Sequence, residues 1–220
     1  AQVRRLGAAG LTMNIAMTAM QDALATQVER PNAQQQDMIK THSAKGSLML
    51  SKLGVADTQW LEIVANHHDE SVERADFRTA APTVRLARIL KVVDRYAAMI
   101  SPRMSRAGRT ATESARSIMA NASAKTDEIG HTLVHAVGLC PPGTYVHLDS
   151  DELGVVLRRS SRHNHPYVAI IGKPTGELIR APRLHWTEHS PRIQSALAAS
   201  AMHLRLNHFH ILQLGAFATQ

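Results

Sequence analysis

The side chains best suited to chemistry in this sequence are three histidines and one aspartate that are spaced like metal ligands. They are His42, the adjacent pair His67-His68, and Asp94. Histidine and carboxylate side chains on successive helices are the means by which helical bundles build metal centres in their cores. The sequence therefore predicts a candidate metal site at these residues. Its chemistry depends on which further ligands accompany them.

Helical periodicity surrounds each of the candidate ligands. Pro31-Asn32 breaks one periodic segment, Gly54 is placed to end the next, and Asp57 is a good N-cap for the segment after it. The expected helices run to about Val28, then to about Leu53, then from Asp57 through the histidine pair, over residues 82–100, from Thr112 to about Asn121, and over residues 126–138.

The sequence changes character after Cys140. The runs TYVHLDS, LGVVLRR and PYVAIIG are short, rich in β-branched residues and separated by polar segments, which is typical of an antiparallel meander. From about Pro191 the pattern is helical again. We therefore expect a mostly α fold with a helical bundle over residues 1–140. Residues 141–220 are expected to form a small β-meander and a closing helix packed on that bundle.

Composition limits the class of protein. Of the 220 residues, 44% are hydrophobic but only 4% are aromatic, which favours a helical core of aliphatic side chains. The lone Cys140 excludes an internal disulfide and predicts a reducing, cytoplasmic location. No apolar run approaches the roughly 18–20 residues of a membrane span, so none is expected. The chain begins at Ala1 inside a predicted helix, which indicates a piece of a longer protein.

The chain is basic, with a formal net charge of +7. Three interpretations remain open: a solvated basic surface, a site for a phosphorylated small ligand, and a nucleic-acid surface. The arginines are scattered, without a long basic run or a patch interleaved with aromatic residues, so nucleic acid is the least favoured.

Several phrases together resemble the HD-GYP family, the metal-dependent cyclic di-GMP phosphodiesterases of the larger HD superfamily. They are HHDE, ILKVVDRYAAMISPR, VGLCPPGTYVHL and ELGVVLRR. The resemblance implies an HD-superfamily helical bundle with a small antiparallel β appendage and a C-terminal helix. It also implies bacterial cyclic di-GMP signalling. In the family, two or three Fe or Mn ions bridged by carboxylate and hydroxide hold a phosphodiester, and the bridging hydroxide attacks its phosphorus.

The chain departs from the family at both of the motifs that name it. The family's His-Asp pair lies in a phrase like GLLHDIGK, and the matching segment here has Met13 for histidine, Asn14 for aspartate and Met17 for lysine. A thioether is a poor ligand for hard divalent ions, and a neutral amide does not bridge two of them. The Gly-Tyr-Pro loop is also missing, because no glycine occurs between Gly54 and Gly108.

By this resemblance, the three histidines would serve one metal and Asp94 a neighbouring one, while Arg103 and Arg106 would contact phosphate. The cofactor expectation is either one Fe, Mn, Zn or Ni ion or no ion at all. Plainer interpretations stay open, since Asp94 could be held in a salt bridge inside the bundle and the two arginines could lie in a solvated loop. Met13 and Met17 are then core-fillers.

Three functional hypotheses follow. The first is a degenerate HD-GYP-type signalling domain, catalytically impaired, that acts as a sensor of cyclic di-GMP or docks onto a diguanylate cyclase or other signalling protein. The second is an active metal-dependent phosphodiesterase that hydrolyses cyclic di-GMP or a related phosphodiester at an altered site. The third and least favoured is nucleic-acid binding, which would show steep salt dependence.

Overall fold

The computed structural model describes residues 1–105, 108–120, 128–162, 164–173, 175, 177–198, 202 and 207–218. The chain divides into two compact units. The first comprises Ala1–Ala98 with Arg103–Arg106, and the second Met99–Pro102 with Ala107–Gln220. The mostly α fold with a small antiparallel sheet and a C-terminal helix is confirmed. None of the helices over the described residues is long and apolar enough to cross a membrane.

The first unit is built of helices. The helices are α1 (Gln2–Thr12), a 3-10 helix (Ile15–Met17), α2 (Thr18–Thr26), α3 (Ala33–Lys52), α4 (Thr58–Asn66), α5 (Ser71–Arg74) and α6 (Pro82–Ile100), whose last residues belong to the second unit.

Local capping sets the start of the two helices that carry histidines. Asn32 begins α3 with a capping box, in which its side chain accepts the Gln35 N–H and the Gln35 side chain accepts the Asn32 N–H. Asp57 caps α4 as expected, and it also pairs with the Arg5 Nε at 2.7 Å. Gly54 adopts φ 92°, which permits the turn between the two helices.

The expectation of one continuous helix to Val28 is wrong. The helix breaks after Thr12, because the backbone at Asn14 (φ −102°, ψ 11°) and at Met17 (φ −133°, ψ 17°) leaves the α region. The Met17 N–H bonds the Asn14 carbonyl at 2.9 Å, which closes a 3-10 turn in place of an α turn. Apolar spacing continues smoothly through this segment, so periodicity alone does not show the break.

The core of the first unit joins α1, α3, α4 and α6. Aliphatic side chains dominate it, as the low aromatic content suggested. Its buried members are Ala9, Leu50, Ile63, Val64, Val72, Leu86, Ala87 and Leu90. This core fixes the rotation of α3 and α4, and therefore the direction in which their polar residues point.

The second unit contains helices and a five-stranded antiparallel sheet with strand order β4-β3-β2-β1-β5. Its helix α7 begins after a Thr110–Glu113 capping box, so the cap expected at Thr112 is wrong. The elements are α7 (Ala111–Ala120), α8 (Glu128–Val137), β1 (Tyr145–Leu148), β2 (Leu153–Arg158), β3 (Tyr167–Gly172), β4 (Leu178–Trp186), β5 (Ile193–Leu197) and α9 (His208–Phe217).

The three predicted strands β1 to β3 and the closing helix α9 are confirmed, and β4 extends the meander by a strand that was not predicted. The return to helix at Pro191 is wrong. Ile193–Leu197 forms β5, which pairs with β1 so that Tyr145 lies opposite Leu197. Strand pairing between distant segments here outweighs the local helical preference of the sequence IQSAL. Ile211 and Leu214 of α9 then pack on one face of the sheet.

Candidate metal centre

Two neighbouring helices of the first unit bring the three histidines together. His42 lies in the middle of α3, and His67 is the residue that ends α4, followed directly by His68. His42 is 3% exposed and His67 is fully buried, whereas His68 is partly exposed. The α3 and α4 helices pack side by side at Gly46, where a Cβ atom would lie 3.7 Å from the Val64 side chain.

The ring nitrogens of the three histidines converge. One nitrogen from each of His42, His67 and His68 lies within 4.8 Å of the others. The ring centroids are 5.3 Å apart for His42 and His67, 4.9 Å for His42 and His68, and 4.2 Å for His67 and His68. Separations of this size leave space for one ion at the centre, bound by one nitrogen from each ring.

Hydrogen bonds fix which nitrogen faces the centre. The Nδ1 atoms of His42 and His67 lie 2.6 Å and 2.7 Å from the carbonyls of Ile39 and Val64, each three residues earlier in the chain. A carbonyl can only accept, so Nδ1 carries the proton and Nε2 keeps its lone pair. Both Nε2 atoms are buried and have no hydrogen-bond partner among the described residues.

Unpartnered buried nitrogens of this kind require an explanation, because nearly all buried polar atoms in proteins are hydrogen-bonded. A metal ion supplies one: a ligating histidine commonly donates its other N–H to a backbone carbonyl, as His42 and His67 do here. The residues present therefore fit a metal held by His42, His67 and His68.

Burial also favours the uncharged form of His67 and His68, which is the form that metals bind. It lowers the pKa of His67 below its usual value, and burial together with the neighbouring His67 and His42 lowers the pKa of His68 to about 4. Neutral imidazoles do not need to lose a proton before binding an ion at neutral pH.

Asp94 lies beside this group without joining it. Its Oδ2 atom is 3.7 Å from the Nε2 of His68, too long for a hydrogen bond, and Asp94 is outside the set of mutually close ligand atoms. Burial raises the pKa of Asp94, while the nearby His67, His42 and the positive charge of Arg103 oppose that rise. Arg103 is therefore near enough to act on the site. Arg106 lies outside the described residues.

The HD-domain family matches residues 1–129 of this sequence, which is more than half of its 220 residues. The chain belongs to the HD-domain family. A cyclic di-GMP phosphodiesterase of Pseudomonas aeruginosa is 30% identical to this chain over an alignment of 167 residues, which covers 73% of this chain and 39% of that relative. The chain thus spans about two-fifths of the relative's length. No solved structure gives a significant match.

The segment that resembles the family's His-Asp motif lies along α3 on both sides of His42. One turn after His42, a Cβ atom placed on Gly46 would lie 3.6 Å from the Met13 carbonyl and 3.6 Å from the Ile15 side chain. One turn before His42, Met38 and Ile39 pack against the buried cluster of Met17, Met20 and Leu24. This segment therefore packs against α3 one turn before and one turn after His42.

Sequence reasoning missed one residue that organises the site. Lys91, one turn before Asp94 on α6, lies 3.2 Å from the Glu73 carboxylate and 3.4 Å from the Asp69 carbonyl. It thereby ties α6 to the loop that follows the histidine pair, and its charge acts on both His67 and His68. The only signal in the sequence is its spacing of three from Asp94, which places both on one helix face.

An ion held by the three histidines would act as a Lewis acid toward a phosphoryl oxygen or a bound water. The protein's own part would be to hold three neutral donors in place, to keep the site largely buried, and to present Asp94 at its edge.

Proposed function

We propose that this HD domain is a catalytically impaired, phosphodiesterase-like signalling module of bacterial cyclic di-GMP pathways. It retains a site for one metal ion at His42, His67 and His68, and it acts as a sensor of the nucleotide or as a protein-interaction module. The observation that carries the proposal is the pair of buried, unpartnered Nε2 atoms beside a motif that offers no carboxylate.

One ion is favoured over two because of charge. Three neutral imidazoles bring no negative charge to offset a divalent ion, and a second ion close by needs a carboxylate that bridges both. Asn14 stands at the position that the resemblance assigns to that carboxylate, and an amide carries no charge. The Asp94 carboxylate lies 3.7 Å from the Nε2 of His68, and it is outside the set of mutually close ligand atoms.

The connection to cyclic di-GMP rests on the relative that bears that name and on the phrases that resemble the HD-GYP family. Arg103 supports it, since its charge reaches Asp94 and a guanidinium is well suited to a phosphate oxygen. The net charge of +7 is also compatible with an anionic ligand.

A calorimetric titration with cyclic di-GMP, combined with elemental analysis of the same sample, tests the proposal. We expect no more than one transition-metal ion per chain, saturable binding of the nucleotide, and no turnover. If the protein binds neither metal nor nucleotide, the protein-docking role remains, and a diguanylate cyclase is the first partner to examine. Turnover at a rate typical of enzymes would overturn the proposal.

An active phosphodiesterase with an altered site is the second candidate. Its support is the approach of Asp94 to His68, which places a carboxylate where a metal-bound water could lie. It requires stoichiometric metal and loss of turnover in His67→Ala. Protein that is purified without chelators and contains no transition metal would exclude it.

A further inference from the structure

The second unit contains a cleft of about 880 Å³ that involves none of the histidine cluster. Its walls come from α7, from α8 and the turn that follows it, from the segment between β2 and β3, and from β5. Binding sites for small molecules commonly measure about 300–1,000 Å³, so this cleft has the size of a ligand site.

Arginines supply most of the charged groups in the lining of this cleft. Of the residues that line it, Arg116, Arg159 and Arg162 are basic and Glu113 alone is acidic. The Glu113 carboxylate is already engaged, since its Oε2 atom accepts the Thr110 N–H at 2.9 Å in the capping box of α7. Three arginines against one carboxylate leave the lining with an excess of positive charge, which suits an anion.

Arg159 and Arg162 are held in place by contacts on one side of each guanidinium. Arg159 donates from Nη1 to the Ala136 carbonyl and from Nη2 to the His135 carbonyl, at the end of α8. Carbonyls are uncharged, so the charge of Arg159 is not neutralised there. Arg162 lies 3.2 Å from the Glu188 carboxylate through its Nε atom. Both side chains keep further N–H groups, because a guanidinium has five.

The cleft also has an apolar part. Met119 of α7, Val134 of α8, and Leu139 and Ile193 contribute aliphatic surface to its lining. Cys140 lies in the same lining, half-buried, with its Sγ 3.9 Å from the Thr112 hydroxyl. A ligand that satisfies both parts must carry an anionic group and an apolar or aromatic body.

We propose that this cleft is a binding site for a phosphorylated organic molecule of about mononucleotide size, with its phosphate held by Arg116, Arg159 and Arg162. Arginine forks match phosphate oxygens through paired, charge-assisted hydrogen bonds. The aliphatic lining receives the rest of the ligand. This site is independent of the histidine cluster and of the function proposed for it.

Cys140 gives a direct test, because it is the chain's only cysteine and it lies inside the cleft. The rate at which a thiol reagent labels Cys140 in the intact chain is measured with increasing GMP, with guanosine and inorganic phosphate as half-ligand controls. We expect GMP to slow labelling saturably and either half-ligand to do so at least about 10-fold more weakly, because each lacks part of the contact.

Single substitutions test whether GMP binds in this cleft. Arg116→Ala is expected to weaken the protection by GMP by about 10-fold, the loss typical of one charge-assisted contact. Arg180→Ala removes an equal charge from the exposed face of β4 and is expected to leave protection unchanged. His67→Ala is also expected to leave it unchanged, since that residue belongs to the other unit.

Each of the following results would contradict the proposed binding site. GMP could fail to protect Cys140 at millimolar concentration, inorganic phosphate could protect as well as GMP does, or Arg116→Ala and Arg180→Ala could weaken protection equally. Loss of protection in a folded His67→Ala variant would likewise assign GMP to the histidine cluster. None of these outcomes depends on whether the HD domain hydrolyses cyclic di-GMP.

Discussion

Two segments in the first unit of this HD domain differ sharply in chemistry although both adjoin His42. The histidine cluster keeps buried nitrogens with free lone pairs, and burial lowers the pKa of both His67 and His68. The segment from Met13 to Met17 fills its surroundings with thioethers and aliphatic groups, and Met17 is buried among Met20 and Leu24. The histidine cluster therefore has nitrogens available to bind an ion, whereas the segment from Met13 to Met17 forms part of the hydrophobic core.

The difference shows that packing and metal binding place separate demands on the same scaffold. The core around Ile63, Val64 and Leu90 needs only aliphatic side chains of suitable volume. A metal centre needs specific donors and enough negative charge, so a few replacements can remove an ion while the fold persists. The three histidines converge where one ion fits. In the function that we propose, Asn14 is the position that lacks a bridging carboxylate.

The largest effect should come from removing a ligand that faces the centre. In His67→Leu we expect affinity for Zn²⁺ or Mn²⁺ to fall by more than about 100-fold, since changes to the groups around metal ligands alone cost 10- to 100-fold. Titration of the metal-free protein by calorimetry measures the change. His208→Leu on α9 is the matched control, because His208 is exposed and should not alter metal affinity.

Introducing the family's His-Asp pair at residues 13 and 14 should test the same comparison by adding metal ligands. The double variant Met13→His/Asn14→Asp regains an imidazole and a bridging carboxylate, so we expect the number of bound ions per chain to rise above one. Elemental analysis after metal loading measures this, with Met20→Leu as a control in the neighbouring core cluster. An unchanged stoichiometry in a folded double variant would show that the 3-10 turn misplaces the new ligands.

The free energy of unfolding of the metal-free protein should depend on pH in opposite directions through the histidines and through Asp94. Because the pKa of His68 is about 4 in the folded state and 6.5 is its usual value, the unfolded chain binds more protons between these two pH values. The stability that His68 contributes is therefore present above pH 6.5 and is lost as the pH falls toward 4. His67 acts in the same direction.

Asp94 opposes this trend, because burial raises its pKa above the usual value of 3.8. Above pH 3.8 the folded state therefore binds this proton more readily than the unfolded chain does. The contribution of Asp94 to the free energy of unfolding falls as the pH rises from 3.8 through its raised pKa. Urea unfolding between pH 4 and pH 7 in wild type and in Asp94→Asn measures both trends. A steeper loss toward pH 4 in Asp94→Asn is expected, and an unchanged slope would contradict the assignment.

The smallest effects concern the contact between the two segments at Gly46. A Cβ at Gly46 would meet Ile15, the Met13 carbonyl and Val64 at 3.6–3.7 Å, which is ordinary contact. We expect Gly46→Ala to raise the free energy of unfolding by about 1 kcal/mol through helix propensity. Gly46→Leu should lower it by about 1–3 kcal/mol by overpacking. Urea titrations compare the two, and equal effects would contradict close packing there.

Local signals in the sequence predicted much of this structure. Asp57 and Gly54 fix the turn between α3 and α4 through capping and positive φ, and the aliphatic spacing of residues 82–100 predicted α6 at its observed bounds. These features depend on neighbours in the chain, so a local pattern contains them. The candidate site was anticipated by spacing and by resemblance, and the structure places His42, His67 and His68 within reach of one ion.

The remaining features depend on contacts between distant residues. The pairing of Tyr145 with Leu197 makes β5 a strand, although its sequence alone favours a helix. The protonation of His42 and His67 depends on which carbonyl each ring meets, and the role of Lys91 depends on where the loop after α4 lies. Such contacts are set by the packed fold, and a sequence pattern does not display them.

The most direct test is to count transition-metal ions and cyclic di-GMP turnover in one preparation of this chain, purified without chelators and then loaded with Mn²⁺ or Fe²⁺. We expect no more than one ion per chain, lost in His67→Leu, and no hydrolysis of the nucleotide. Two or more ions per chain together with hydrolysis at an enzymatic rate would contradict the proposal that Asn14 and its neighbours have left this HD domain with half of its metal centre.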